Sequence, residues 1–227
     1  MRPEQLRIGV VDSGVPEPRA GYDAAFVIRD AALWQAEADP DHLGHGTRVA
    51  EVIHHMLPEA EIFSAQVFME RLATTATQVA AAIDWLVEQE VNLINLSLGL
   101  RYDRAPLRDA CHRALKRGVL VSASAPARGD AVYPSAYPGV FRMTGDARCG
   151  RDEIAHLETA FADFGGCVLP VDENRDYSGA SLGCAHMSGH LGRYLIQTDR
   201  PRLSAARAWL IEQAVYQGPE RRGADER

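Results

Sequence analysis

The sequence predicts an α/β fold, a mostly parallel central sheet with helices on both faces. Short apolar runs bounded by turn residues alternate with amphipathic stretches at helical spacing, the pattern of strands joined by crossover helices. The chain has 227 residues, 46% of them apolar and 24% charged, enough for one well-buried core. The polar residues that suggest chemistry fall just past the ends of the apolar runs, where such sheets hold their ligand sites.

Ile8-Gly-Val-Val-Asp12 reads as a buried strand closed by a turn at Ser13-Gly14. Gly44 to His55 places Val49, Val52 and Ile53 at helical spacing after His45-Gly46-Thr47. Ile62 to Phe68 alternates as a second strand. Thr77 to Gln89 puts Val79, Ile83, Leu86 and Val87 on one face and predicts an amphipathic helix. Val91 to Leu98 is a third strand. Leu107 to Arg117 is a helix closed by Gly118, and Val119 to Ser122 is a fourth strand. Pro126 to Asp176 is richer in glycine, proline and aromatics, with a shorter strand candidate at Val140 to Thr144. Ser181 to Ile196, with Gly183, Gly189 and Gly192, is expected to be a buried helix. Ser204 to Tyr216 is expected to be a surface helix, and Gly218 to Arg227 a disordered polar tail. No repeat or linker divides residues 1–217, which are expected to form a single domain.

Bulk properties exclude several function classes. The net charge of −7, with no clustered Lys and Arg, argues against nucleic acid. No apolar stretch approaches a membrane span, and the N-terminus carries no apolar signal region. Cys111, Cys149, Cys167 and Cys184 form no CxxC pair, so a metal site is disfavoured and reduced thiols in the cytoplasm are expected. His186 and His190 share the i, i+4 spacing of a metal pair but lack an evident third ligand. No cofactor is expected.

Three segments carry the chemistry: Val10-Val-Asp-Ser-Gly14, Gly44-His-Gly-Thr-Arg-Val49 and Ser178-Gly-Ala-Ser-Leu182. Taken singly, each has an ordinary explanation: a turn, a helix-start histidine, a helix N-terminal serine. Together, in the order Asp, His, Ser, they resemble the subtilisin-like serine peptidase family, in which that chain order is found. Ile94-Asn-Leu-Ser-Leu-Gly99 resembles the family's substrate-binding strand, and Tyr133-Pro-Ser-Ala-Tyr-Pro138 its aromatic-proline loop. The resemblance implies the family's three-layer fold and a triad of Asp12, His45 and Ser181. His45, with an intrinsic pKa near neutrality, would take the proton of Ser181 and return it to the leaving amine, while Asp12 orients the ring. A helix beginning at Ser181 would aim its free N–H groups at the developing oxyanion. The resemblance implies a peptide or protein substrate, whose backbone would pair with Ser97-Leu98-Gly99 as an added strand if these residues are the family's edge strand. Ala123, Ser124 and Ala125 would form the other wall of a roomy first side-chain pocket.

The chain departs from the family where an Ala-Gly-Asn stretch is expected. Ser122-Ala-Ser-Ala-Pro-Ala-Arg-Gly129 puts Ala127 at the position of the asparagine that donates to the oxyanion. In subtilisin itself, losing that donor costs roughly 10²–10³ in turnover. Ser124, Arg128 and Asn174 are the candidate substitutes. Arg48 replaces a second histidine, Glu51 a glycine and Ala185 a proline; Cys184, three residues past Ser181, reads as a packing residue. Asp41, Asp172 and Asp176 are taken as solvated loop carboxylates. The sequence starts almost at the first strand, so the expectation is that the domain folds unaided or that a folding propeptide is removed or supplied separately. The expected function is a cytoplasmic serine endopeptidase, with the processing of one precursor peptide as its expected role. The alternatives are a weakened or inactive member retained as a peptide-binding or scaffolding module, and another acyl transfer such as ester hydrolysis or ligation.

Overall fold

A computed structural model describes residues 5–16, 20–198 and 201–220. The chain runs β1 (Arg7–Asp12), β2 (Ala20–Arg29), β3 (Ala32–Ala36), α1 (His45–Met56), β4 (Glu61–Gln66), α2 (Ala76–Glu88) and β5 (Leu93–Leu96). It continues as α3 (Ala105–Lys116), β6 (Leu120–Ser124), β7 (Phe141–Gly145), β8 (Ala155–His156), β9 (Phe164–Gly166), a 3₁₀ turn at Arg175–Tyr177, α4 (Ala180–Gln197), α5 (Leu203–Gln213) and β10 (Tyr216–Gln217). One sheet holds all the strands in the order β10-β8-β9-β7-β6-β5-β1-β4-β2-β3. Its centre is parallel, and antiparallel pairing enters only as β2–β3 and β8–β9. This is the predicted α/β architecture.

The sheet is sandwiched between two apolar layers. Ile8, Val10 and Leu93 face α1 and α4 with Val52, Ile53, Met187 and Leu191. Val11, Phe63, Ile94 and Val121 face α2 and α3 with Val79, Ile83, Leu86, Leu107 and Ala110. The alternation along each strand divides its side chains between the layers. β1 lies between β4 and β5, so the crossover direction reverses at Asp12 and a crevice opens beyond the strand ends.

Three elements differ from the sequence reading. A β2–β3 hairpin fills a stretch for which no strand is predicted, with its turn residues Asp30 and Ala31 both at positive φ. β5 stops at Leu96 rather than Leu98, because the backbone leaves the ladder and Leu100 exchanges both hydrogen bonds with Tyr133. The last helix ends at Gln213 instead of Tyr216. Val215 and Tyr216 donate to Ile154 O at 2.9 and 3.3 Å and so join the sheet edge. Of the predicted tail, residues 221–227 lie outside the described residues.

Glycine is required where α4 crosses the sheet. A Cβ on Gly183 would sit 2.3 Å from Thr144 O and 2.6 Å from Gly145 N, both backbone atoms that cannot swing away. His186 and His190 belong to this helix and are buried, 1% and 3% exposed. Burial holds both imidazoles below the usual histidine pKa; that of His190 is lowered to about 4, reinforced by Arg193 and His186 and opposed by Asp152. Between these limits the unfolded chain binds more protons than the folded one, so stability falls as pH drops from 6.5 toward 4.

Two stability outcomes follow. Gly183→Ala overpacks the α4–β7 contact and lowers stability by ~1–3 kcal/mol, read as a reduced calorimetric Tm. Acidification from pH 7 to pH 4 costs about 3 kcal/mol through His190 alone. The urea midpoint falls accordingly, and His190→Gln flattens that dependence.

Candidate active site

Asp12 closes β1 with its side chain 1% exposed. Its Oδ1 accepts from Ser13 N at 2.8 Å and from His45 Nδ1 at 2.7 Å. His45 is the first residue of α1, and α1 is pressed against the turn after β1. Gly46 N donates to Ser13 Oγ at 2.9 Å, and a Cβ on Gly46 would meet Gly14 O at 2.3 Å. The Gly-His-Gly sequence therefore fits a helix start that must touch a neighbouring turn.

Helix α1 takes its cap from outside the motif. Gly44 sits at φ 68° and offers no side chain. Asp41 supplies the acceptors instead: Oδ1 receives Gly44 N at 2.8 Å and Leu43 N at 3.1 Å, and Oδ2 receives Thr47 N at 2.9 Å and Thr47 Oγ1 at 2.6 Å. Asp41 is thus a capping residue rather than a solvated loop carboxylate. Burial opposes its charge, yet these hydrogen bonds outweigh burial and keep its pKa below the ordinary value. Asp172 also has a partner, accepting Asn174 N at 3.1 Å, while Asp176 stays exposed on the 3₁₀ turn.

The charge state of His45 is set by opposing effects. Burial disfavours the imidazolium, and Arg48 adds to that. The Asp12 hydrogen bond, the Asp12 charge and the more distant Asp41 charge prevail and raise its pKa above 6.5. The carboxylate stabilises the imidazolium and so makes the neutral ring a stronger base.

Ser181 stands in the first turn of α4, which begins at Ala180, one residue earlier than predicted. Its N–H is among the four that a helix start leaves without an intrahelical acceptor. Two bonds join it to the end of β5: Ser181 Oγ donates to Ser97 O at 3.2 Å, and Ser97 Oγ donates to Ser181 O at 3.0 Å. Beneath them lies a buried polar network that the sequence does not reveal. Asn95 Nδ2 donates to Ser97 Oγ at 3.0 Å, and Asn95 Oδ1 accepts from Ser188 Oγ at 2.9 Å and Cys184 Sγ at 3.4 Å. Ser122 Oγ and Ser188 Oγ are 2.6 Å apart. Cys184 is fully buried, its thiol pushed up to about 12 by desolvation, so it packs and does not ionise.

His45 and Ser181 open onto one cavity of about 330 Å³, walled by Phe68, Leu72, Ser97, Leu98, Gly99 and Ser124 among others. Asp12 stands behind His45. Among the described residues no hydrogen bond joins Ser181 Oγ to His45, a separation common before substrate tightens such sites. Ala123 and Ala125 do not line this cavity. Their strand position turns them away from Ser124 into the apolar layers, 0% and 1% exposed. Ser97, Leu98 and Gly99 follow β5 past the end of the ladder and line this cavity.

Ala127 carries no side-chain donor, and the three candidate substitutes are dispersed. Ser124 shares the Ser181 cavity, Arg128 lines a neighbouring one, and Asn174 caps the 3₁₀ turn by accepting Asp176 N at 3.1 Å. Arg48 makes a contact the sequence does not show. Its guanidinium lies 3.4 Å from the Tyr177 ring centroid, and Nη1 donates to Gly44 O at 2.7 Å. It ties the histidine helix to the turn that precedes Ser181, a contact worth ~0.5–2 kcal/mol. His186 Nε2 and Leu169 O are 2.9 Å apart, and among the described residues no group of three metal-ligating side chains occurs.

Comparison with known proteins gives a consistent picture. A sequence model described as the Subtilase family matches residues 4–144. The chain is similar to the "Major intracellular serine protease" of Bacillus subtilis (strain 168), 30% identical over 216 residues that cover 83% of this chain and 67% of that protein. It is similar to the "Minor extracellular protease Epr" of the same organism, 29% identical over 168 residues, 69% of this chain. It spans only 25% of the length of that second relative. The solved structure of "Prenylagaramide maturation protease PagA" superposes with a TM-score of 0.64 at 18% identity, covering 91% of this chain and 82% of that one.

The electrostatics of His45 are open to direct titration. By NMR its midpoint lies above 6.5 in the unaltered protein, rises further in Arg48→Gln, and falls in Asp12→Asn, where only the more distant Asp41 charge still opposes burial. A wild-type midpoint at or below 6.5 would contradict this balance.

Proposed function

The chain belongs to the subtilase family, and on that premise we propose that it is a serine endopeptidase with Asp12, His45 and Ser181 as its triad. The observation that carries the proposal is the 2.7 Å bond between a buried Asp12 carboxylate and a His45 imidazole opening onto the cavity that also receives Ser181. His45 takes the proton as Ser181 Oγ attacks the peptide carbonyl, then delivers it to the leaving amine. Asp12 holds Nδ1 protonated and stabilises the imidazolium. Water then cleaves the acyl-enzyme by the reverse sequence. The negative charge on the carbonyl oxygen is met by the free N–H of Ser181 at the start of α4, with the asparagine donor replaced by Ala127.

The proposed setting is a single domain over residues 1–217 acting on a peptide or protein in the cytoplasm, with no nucleic-acid or membrane partner. Four free, buried cysteines agree with reduced thiols. Among the described residues no helix is long and apolar enough to cross a membrane. One relative is an intracellular protease and one structural neighbour a maturation protease, which supports precursor processing as the role. A second reading is a peptide-binding module with little or no turnover. It is favoured by the Ser181 hydroxyl bonding to Ser97 O and by the missing asparagine.

A fluorophosphonate probe separates the two. The proposed enzyme is labelled at Ser181, and Ser181→Ala abolishes labelling. Asp12→Asn lowers kcat by about 10⁴, the effect of losing the orienting carboxylate in a serine triad. Absence of labelling at high probe concentration overturns the peptidase reading and favours the binding module.

A further inference from the structure

The two halves of the site are each fixed to a strand of their own, the start of α1 to the turn after β1 and Ser181 to the end of β5. On the open side a stacked pair spans from one half to the other. Arg48 follows His45 on α1, and its guanidinium lies 3.4 Å from the ring centroid of Tyr177, which precedes Ser181. The cation is itself held, with Nη1 donating to Gly44 O at 2.7 Å. The segment that carries Tyr177 needs an anchor. Residues 172–178 are all exposed, and the 3₁₀ turn within them closes on itself, Tyr177 N donating to Asn174 O and Ser178 N to Arg175 O. Exposed stretches with few buried apolar contacts open most readily. This one leads into Ser181, whose Oγ rests on Ser97 O rather than on His45. The reaction therefore requires a short closing movement between a firm helix and a thinly supported turn, where a misplacement of ~1 Å can cost about 10²-fold in rate.

We propose that Arg48 and Tyr177 are a positioning pair: the guanidinium on α1 grips the ring on the serine turn and keeps Ser181 Oγ within reach of His45 while its bond to Ser97 O is exchanged for one to the imidazole. The inference rests on the peptidase reading, since it assigns the pair to the approach of that hydroxyl to that ring. A planar guanidinium suits the task, because it stacks on an aromatic face while its N–H groups still bond sideways, here to Gly44 O. The grip uses the ring face, so phenylalanine can replace Tyr177 and an aliphatic residue cannot. Arg48 also acts on His45 by charge, disfavouring the imidazolium. Tyr177 brings no such charge, and the two effects therefore separate by residue: Tyr177→Leu removes the stack, whereas Arg48→Gln removes the stack and the field together.

The rate constant for fluorophosphonate labelling of Ser181, followed against pH, tests the pair. On the plateau above the acid limb, Tyr177→Leu is expected to label about tenfold more slowly than the unaltered protein, the rate equivalent of losing one cation–π contact. Tyr177→Phe recovers that loss to within about threefold. Arg48→Gln is slowed as much as Tyr177→Leu, and the double variant is no slower than the slower single, because each substitution removes the same contact. The acid limb, which follows His45, moves to higher pH in Arg48→Gln and stays nearer its original place in Tyr177→Leu. Circular dichroism checks that every variant folds. Unchanged labelling in Tyr177→Leu, a Tyr177→Phe rate as low as that of Tyr177→Leu, or losses that multiply in the double variant overturns the pair and leaves the peptidase reading standing. Failure of the unaltered protein to label overturns the peptidase reading, and the pair with it.

Discussion

The arrangement depends on bringing a strand end and a helix start close enough for one short hydrogen bond. Asp12 and His45 are held at 2.7 Å by everything that brings α1 against the turn after β1. The Ser13 hydroxyl accepts the Gly46 amide, Gly46 lacks a side chain where one would strike Gly14 O, and Asp41 caps the helix from the loop before it. A buried carboxylate is costly unless paired. Here the charge is tolerated because an imidazole and a backbone amide face it, and the same pairing makes the imidazole a stronger base. One interaction therefore accounts for both the local packing and the local chemistry.

The second half of the site is held by a different device. Ser97 and Ser181 exchange side-chain-to-backbone hydrogen bonds, and Asn95 locks Ser97 from beneath while also gripping Ser188 and Cys184 on α4. A polar network this deep is favourable only because its members satisfy one another. Gly183 admits α4 to the backbone of β7, which sets the depth at which Ser181 emerges. The two halves come from opposite ends of the chain and meet only because β1 and β5 are neighbours in the sheet.

Much of this was legible in the sequence, and the reasons differ by element. The parallel core was readable because its strands are continuous apolar runs and its helices carry one apolar face, as in Val79, Ile83 and Leu86. The three polar segments stood out by their order. The β2–β3 hairpin was not legible: its turn is Asp30-Ala31 rather than Asn-Gly or Asp-Gly, and β3 is exposed along most of its length, so neither a turn signal nor alternation marks it. Burial of Ala123 and Ala125 depends on strand phase, which a motif match cannot fix when the strand end is uncertain by two residues. Arg48 on Tyr177 and the Asn95 network are long-range contacts between residue types that are commonplace singly.

The return of the β2–β3 hairpin is pinned at its base. The Gln66 side chain accepts from Asp39 N at 2.8 Å and donates to Asp39 O at 3.0 Å and to Ser13 O at 2.7 Å, two residues before Asp41 begins capping α1. The clamp insulates the imidazole from whatever happens at the hairpin tip. Residues around Asp30 can drift in length or composition while the bearing of His45 stays fixed, so this excursion is where the protein can vary most freely without disturbing its chemistry.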